Sequence, residues 1–360
     1  MRRRILDKCK IVEILLTDTK HFEGVSFAFA GMAITTLERC SDAEARRSHT
    51  MRLVDYIREP ADFAAPGARL TELRQEEYEA PPETPFFVGV PRDVLEAAQR
   101  SERVRDVARG RQGLITADDK RFLASLDDPR VTSAGIAASV SEQERREGIA
   151  PSKPYWIPFA KGEGFGEFWK PPTVVIDWSR DSVAELARRD ELPPRPSRKP
   201  RFQNREYYFR PGITYSVVSS GRLSFRRMPD GWIFSDKGSA IFVEDESQSE
   251  SFLLGYLNSA LATYFMKRLV NTTATAHLGY VEKLPYRRPD AATEAAVVER
   301  VDRIVAALQA DPSADVASER AAIDEAIFDL YELRPASRQL VLSFYGSVGR
   351  VQQPDQAASE

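Results

Sequence analysis

Cysteine and histidine are scarce in this chain, two and three residues in 360. Cys9 and Cys40 lie in segments that read as buried. They offer no disulfide framework, and with no signal-peptide pattern the expected setting is a reducing cytoplasm. His21, His49 and His277 share no metal-ligand spacing with either cysteine, so no metal site is expected. No apolar run approaches the roughly 20 residues of a membrane span, which excludes a membrane as a predicted partner. An excess of one charge is also missing: 51 Lys and Arg stand against 54 Asp and Glu, a net −3. Global basicity therefore does not announce nucleic acid, although a local basic face fits a neutral whole. What is present is ordinary globular composition, 42% hydrophobic and 29% charged, in a chain long enough for two or three domains.

The richest stretch runs over residues 204–288. Residues 213–219 alternate β-branched and aromatic side chains, Ser220-Gly221 turns the chain, and 223–227 begin a second strand. Pro229-Asp230-Gly231 is a turn in which proline presets one dihedral and glycine accepts φ > 0. Residues 232–234 and 240–243 read as two more strands around Lys237-Gly238, and an acidic loop follows at 244–250. The period then changes. Phe252, Leu253, Tyr256, Leu257, Leu261, Tyr264, Phe265 and Leu269 recur at helical spacing, predicting one helix packed on this small sheet. Asn258 within it reads as a helix-to-sheet hydrogen-bonding residue or as a base reader, the first being favoured.

The strings YYFRPGITYS, SSGRLSFRRMPDGWIFSDKGSAIF, FLLGYLNSALATYFMK and VEKLPYRR, in this order, resemble the target-recognition half of large adenine-specific DNA methyltransferases. These are the type IIG restriction-modification enzymes and, closer still, the methyltransferase of BREX phage-defence systems. The resemblance runs from Ile5 to Leu333, approximately. It implies that this region grips double-stranded DNA and reads the target, while methyl transfer belongs to a domain upstream. The catalytic signatures of such an enzyme are not found here. An Asn/Asp-Pro-Pro-Tyr/Phe loop would hold the flipped adenine, but Pro81-Pro82, Pro171-Pro172 and Pro193-Pro194 have other neighbours. The one glycine cluster, residues 161–166, runs into Pro171-Pro172 and cannot open a helix, so it reads as a loop close to DNA or to another strand. S-adenosylmethionine is accordingly expected only in a complementing catalytic half.

Residues 110–122 carry a second motif. The resembled family commonly shows Gly-Leu-x-Thr-Gly-Asp-Asn-x-x-Phe. This chain keeps Gly113, Thr116, Asp118 and Phe122, but has Ala117 in place of glycine and Asp119 in place of asparagine. Alanine there argues against a tight φ > 0 turn, or for an altered one. Arg111, Thr116, Lys120 and Arg121 are candidate phosphate donors; helix capping by Thr116 or Asp118 is the equal alternative. Lys161 sits at a glycine corner among aromatics. Candidate base readers on the turns of the central stretch are Tyr215, Ser219, Ser220, Arg222, Arg226, Arg227 and Lys237. Strand alternation separates Arg226 from Arg227, and Arg226 is favoured to face DNA.

The flanks complete the reading. A short helix ending near Cys9, a strand at 10–16, a loop at 21–25 and a strand at 32–37 match, by the resemblance, the tail of a Rossmann-like methyltransferase domain whose first part lies outside this chain. A strand at 51–57, a hinge at 60–67 and a solvated acidic face at 70–91 follow. Residues 124–150 read as an inserted loop with one short helix, and 180–203 as a basic extended connector. From Asp290 the chain is helical, with Asp324 and Glu325 expected in solvent. The fold class expected is α+β, divided as methyltransferase tail (1–60), target-recognition domain (61–288), helical region (289–347) and disordered tail (348–360). The implied function is DNA recognition on behalf of adenine methylation, with no catalytic residue here and a separate polypeptide carrying the catalytic domain. The competing readings are a stand-alone DNA-binding or interaction protein derived from such an enzyme, and a truncated gene remnant.

Overall fold

The central alternation does produce short strands, but they serve two sheets. In the computed structural model, which describes residues 2–17, 32–57, 59, 61–67, 70–78, 86–162, 164–191, 201–217, 221–271 and 275–348, Gly212–Tyr215 pairs antiparallel with both Phe225–Met228 and Ala240–Val243. Ala240–Val243 pairs in turn with Ala108–Arg111. Ile233–Phe234, expected in the same small sheet, instead runs parallel to Trp156–Ala160. That strand belongs to another sheet, with Val174–Asp177 and Leu123–Ser125. The Pro229–Gly231 turn makes the switch possible, with Gly231 at φ +84° as its chemistry predicts.

A third sheet orders Met32–Arg39, Cys9–Thr17, Thr50–Ile57 and Leu70–Arg74, its two central strands parallel and its outer pairs antiparallel. Cys9, at the start of Cys9–Thr17, and Cys40, just after Met32–Arg39, were expected to be buried and are half-exposed. The expected acidic face at 70–91 is only partly solvated. It contributes a strand, and the side chains of Tyr78, Phe87 and Val88 are buried in the same core as the following helix Arg92–Gln99.

The apolar run 252–269 is helical but interrupted. Glu250–Leu257 ends at Asn258, Ser259 caps a second helix Ala260–Phe265, and a π-helical turn Met266–Val270 closes it. Nearly every residue is buried, since the sheet Gly212–Met228 lies on one side and the C-terminal helices Ala291–Ala310, Ala317–Leu330 and Pro335–Ser347 lie on the other. Each fully buried Leu or Phe in this core contributes about 1.5–3 kcal/mol of transfer free energy. Asn258, 3% exposed, joins helix to strand as expected. Its Oδ1 accepts from the Phe225 amide at 2.9 Å, and its Nδ2 donates to the carbonyls of Phe225 at 2.9 Å and Leu254 at 3.1 Å. Asp324, expected in solvent, instead turns inward and accepts from the Ala260 amide at 2.7 Å. It supplies an acceptor at a helix start that packing has removed from water.

A second core gathers Phe122, Ile157, Phe159, Trp178, Leu186, Phe209 and Phe234. One of its walls is the helix Arg180–Glu191, where a connector was expected. Val183, Leu186 and Ala187 form its apolar stripe, with Asp181 in the first turn and Arg188 and Arg189 in the last, a charge order that suits the helix dipole. The supposed loop 124–150 contains two helices, Pro129–Ala134 and Glu142–Glu147, each with a side-chain cap. The architecture is thus mixed α/β, with several small sheets and a helical C-terminus.

Candidate nucleic-acid interface

Two glycine corners set the geometry. Trp156–Ala160 ends in Lys161-Gly162, and Ile233–Phe234 leads to Lys237-Gly238. Gly162 has φ +77°, and a Cβ on it would lie 2.3 Å from the Lys237 carbonyl oxygen. A Cβ on Gly238 would lie 2.3 Å from the Ala160 carbonyl oxygen. The corners therefore press backbone against backbone, which only glycine permits on both sides. The glycine cluster was expected close to DNA or to another strand; its first glycine lies against the Lys237-Gly238 turn. Ser235 donates its amide to Ala160 at 3.0 Å and accepts from the Gly238 amide at 2.8 Å, which holds the corners in place.

The 114–119 turn closes the third side of a cleft of about 380 Å³, with Lys161, Lys237, Thr116, Ala117, Asp119 and Asp236 around an apolar floor that includes Phe159. Ala117 has φ +54°. The left-handed turn that glycine would favour is kept with alanine in it, so the expectation of a lost turn is corrected. The residue is strained because its Cβ crowds the following carbonyl. Asp118 caps the short helix Asp119–Phe122 by accepting from the Arg121 amide, while Thr116 donates its hydroxyl to Asp119. The Lys161 ammonium lies 2.9 Å from the other Asp119 oxygen. Partial burial works against the Asp119 charge, but the hydrogen bonds from Thr116 and Lys161 and the charges of Lys161 and Lys237 outweigh it. Its pKa falls below the ordinary carboxylate range.

Across Phe159 and Lys161, a narrower cleft is lined by Lys170, Thr214, Arg226, Arg227 and Trp232. Arg226 was expected to face DNA, but it is 5% exposed. Its guanidinium donates to Ser216 Oγ at 3.0 Å and to the Gly164 carbonyl at 3.4 Å. The physical reason is the segment around Phe168, which exchanges backbone hydrogen bonds with Phe225 at 2.7 Å and Arg227 at 2.9 Å and so covers this strand edge. Arg227, on the opposite face, is bound to Asp302 and Ser251, both at 2.6 Å.

The other expected site residues are scattered. Thr116, Lys161 and Lys237 converge on the larger cleft, and Lys120 is exposed on the adjoining helix. Arg111 donates to Tyr207 at 2.7 Å and to Glu244 at 2.9 Å. Tyr215 is 1% exposed and its hydroxyl has no hydrogen-bond partner among the described residues, so it is a core residue and not a turn residue. It is the last residue of the strand Gly212–Tyr215, and its ring packs in the core with its centroid 5.0 Å from that of Phe225. Arg222 stacks on Tyr345, 3.9 Å from the ring centroid, and donates to the Tyr345 carbonyl. Ser219 and Ser220 lie outside the described residues. Sequence reading missed Asp119 as the group that organises the cleft. The signal was there, since this is the position that departs from asparagine in the motif. Among the described residues no cluster of His, Cys, Asp and Glu has metal-binding geometry, and no helix is long and apolar enough to cross a membrane.

Comparison with known proteins places relatives beside this geometry. The chain is 24% identical over 280 residues to the adenine-specific methyltransferase PglX of Lacticaseibacillus casei (strain Zhang), covering 77% of this chain and 22% of that protein. It is 30% identical over 131 residues to the adenine-specific methyltransferase BrxX of Escherichia coli O9:H4 (strain HS), covering 36% of this chain and 10% of the relative. The chain thus spans about a fifth or less of the length of these relatives. Among solved structures, the type IIL restriction-modification enzyme MmeI, determined in complex with DNA, shares the fold with a TM-score of 0.52 at 11% identity. The match covers 95% of this chain and 46% of MmeI. No family profile matches the chain.

Proposed function

We propose, for a chain whose homologues are the adenine-specific methyltransferases PglX and BrxX, that it is the DNA target-recognition part of such an enzyme. The observation that carries this reading is the convergence of Lys161, Lys237 and Thr116 on one cleft, locked by interdigitated glycine corners. Lysines suit phosphate as compact charges, while the buried Thr116 gives its hydroxyl to Asp119 and orients it. Backbone locking fixes their spacing before a ligand arrives, which lowers the ordering cost of binding. On the same reading residues 1–60 continue the sheet of a methyltransferase domain. Support comes from the edge strand Met32–Arg39, which leaves Ile34 and Leu37 exposed at 42% and 41%. S-adenosylmethionine binding and methyl transfer then belong to a catalytic domain outside these residues.

The test is binding of the purified chain to a pool of random duplexes at low and then moderate salt, with and without S-adenosylmethionine. Enrichment of one short motif, indifferent to the cofactor, is the expected result; no binding at any salt refutes the reading. Asp119→Asn sharpens the test. It frees Lys161 from its ion pair, so affinity is expected to rise and the log–log salt slope to steepen by about 0.9, the value of one phosphate contact.

A further inference from the structure

A second basic cleft lies away from the lysines. The helix Glu142–Glu147 and the 205–210 segment enclose about 720 Å³ between Arg145, Arg146, Arg205 and Arg210, with Glu142 and Glu206 on the rim and Tyr208 at its floor. Four guanidinium groups against Glu142, Glu206 and the neighbouring Asp230 leave the cleft positive. Three of them are set over rings: Arg145 over Phe209 at 5.5 Å, Arg205 over Phe202 at 4.0 Å and Arg210 over Tyr207 at 5.4 Å. Arg205 also donates to the Arg146 carbonyl at 2.6 Å, tying the two walls together. Arg145 lies 3.7 Å from Asp230, while Arg146 is 3.8 Å from Glu142 with both side chains 72% exposed. Stacking holds these three arginine planes while leaving N–H donors to turn outward, and the exposed Arg146 adds a fourth fork. A planar fork matches phosphate oxygens two at a time.

The two clefts are joined by one ladder. Ile115 and Arg201 exchange backbone hydrogen bonds at 3.1 and 3.0 Å. Gln203 donates to the Gly113 carbonyl at 3.2 Å, and Asn204 to the Gln112 carbonyl at 2.8 Å. From the Arg201 register, beside the lysine cleft, to Arg205 the chain advances four residues, at most about 14 Å. That is of the order of the roughly 12 Å width of a major groove. We infer that the arginine cleft takes the phosphodiester backbone of the same duplex whose groove meets the lysine cleft. This assignment rests on the DNA-recognition reading and adds to it a backbone-tracking wall built from residues 145–146 and 205–210.

The experiment is a salt titration of duplex binding by the full chain and by the Arg146→Gln/Arg210→Gln double variant, with the corresponding double Lys variant as control. Neither arginine is in the lysine cleft, and unfolding midpoints verify that the variants fold. Loss of two phosphate contacts is expected to make the slope of log Kobs against log salt shallower by about 1.8, with the Lys variant retaining most of the slope. Inorganic phosphate, at ionic strength matched with chloride, is expected to leave the duplex bound; displacement would make this a simple anion site and overturn the assignment. An unchanged slope in the Gln variant, with wild-type chain still binding, overturns the arginine wall alone. Absence of binding by the wild type overturns the recognition reading, and this assignment with it.

Discussion

Replacing Asn258 with alanine removes three hydrogen bonds at once, and the structure says which atoms suffer. The Phe225 carbonyl still accepts from the Phe168 amide at 2.7 Å, and the Leu254 carbonyl still accepts from the residue-258 amide at 3.2 Å. The Phe225 amide, by contrast, loses the Asn258 oxygen in a site where both residues are almost wholly buried. An orphaned buried donor costs about 1–3 kcal/mol, and the two lost donor bonds about 0.5–1 kcal/mol each, for a total of about 2–5 kcal/mol. Urea denaturation of Asn258→Ala should show that loss, and hydrogen exchange should quicken at the Phe225 amide above all. Asn258→Asp divides the effect further. It keeps the acceptor for Phe225 but turns oxygen lone pairs toward two carbonyls, so it should be as harmful at neutral pH and recover partly on acidification, when a protonated carboxyl can donate. A loss below about 1 kcal/mol for Asn258→Ala would refute the bridging role. Intact stability with lost DNA affinity would make Asn258 a base reader instead.

Three further outcomes follow from other residues. Ala117→Gly should stabilise the chain by about 0.5–1 kcal/mol, as relief of a left-handed alanine outweighs the added chain entropy, read as a raised unfolding midpoint. Tyr215→Phe removes an unpartnered buried hydroxyl, so stability should hold or rise by about 1 kcal/mol and DNA affinity should not change; a fall in affinity would restore Tyr215 to the site. Burial lifts the Asp324 carboxyl to a pKa of about 6. Its neutral form therefore adds stability that is full below about pH 4 and lost as pH rises through 6. Asp324→Asn, which can still accept from Ala260, should flatten that decline and be the more stable protein at pH 8.

Local chemistry carried much of the fold into the sequence. The turn at Gly231, the strands around it, the helix-to-sheet role of Asn258 and the helices after Asp290 follow from dihedral preference, alternation and period. What the sequence hid depends on distant partners. Nothing within Trp232–Phe234 says that its neighbour is Trp156–Ala160, because a two-residue strand fits either sheet. The inward turn of Arg226 is decided by the Phe168 segment, 58 residues away along the chain. The helix Arg180–Glu191 was obscured by the prolines after it, although its i, i+3, i+4 stripe was present. The arginine cleft is assembled from 145–146 and 205–210, each of which, taken alone, reads as ordinary solvated charge.

Between Phe225 and Val243 the chain leaves one sheet, lends two residues to another and returns. It acts as a stitch through two layers of cloth. Ile213 and Ile241 face one core while Phe242 and Ala240 face the other, so the seam itself is shared. Neither core can be melted, excised or swapped without pulling this thread from its neighbour. The two halves should therefore unfold as one piece, and exchange of this segment between relatives would have to cut outside the seam.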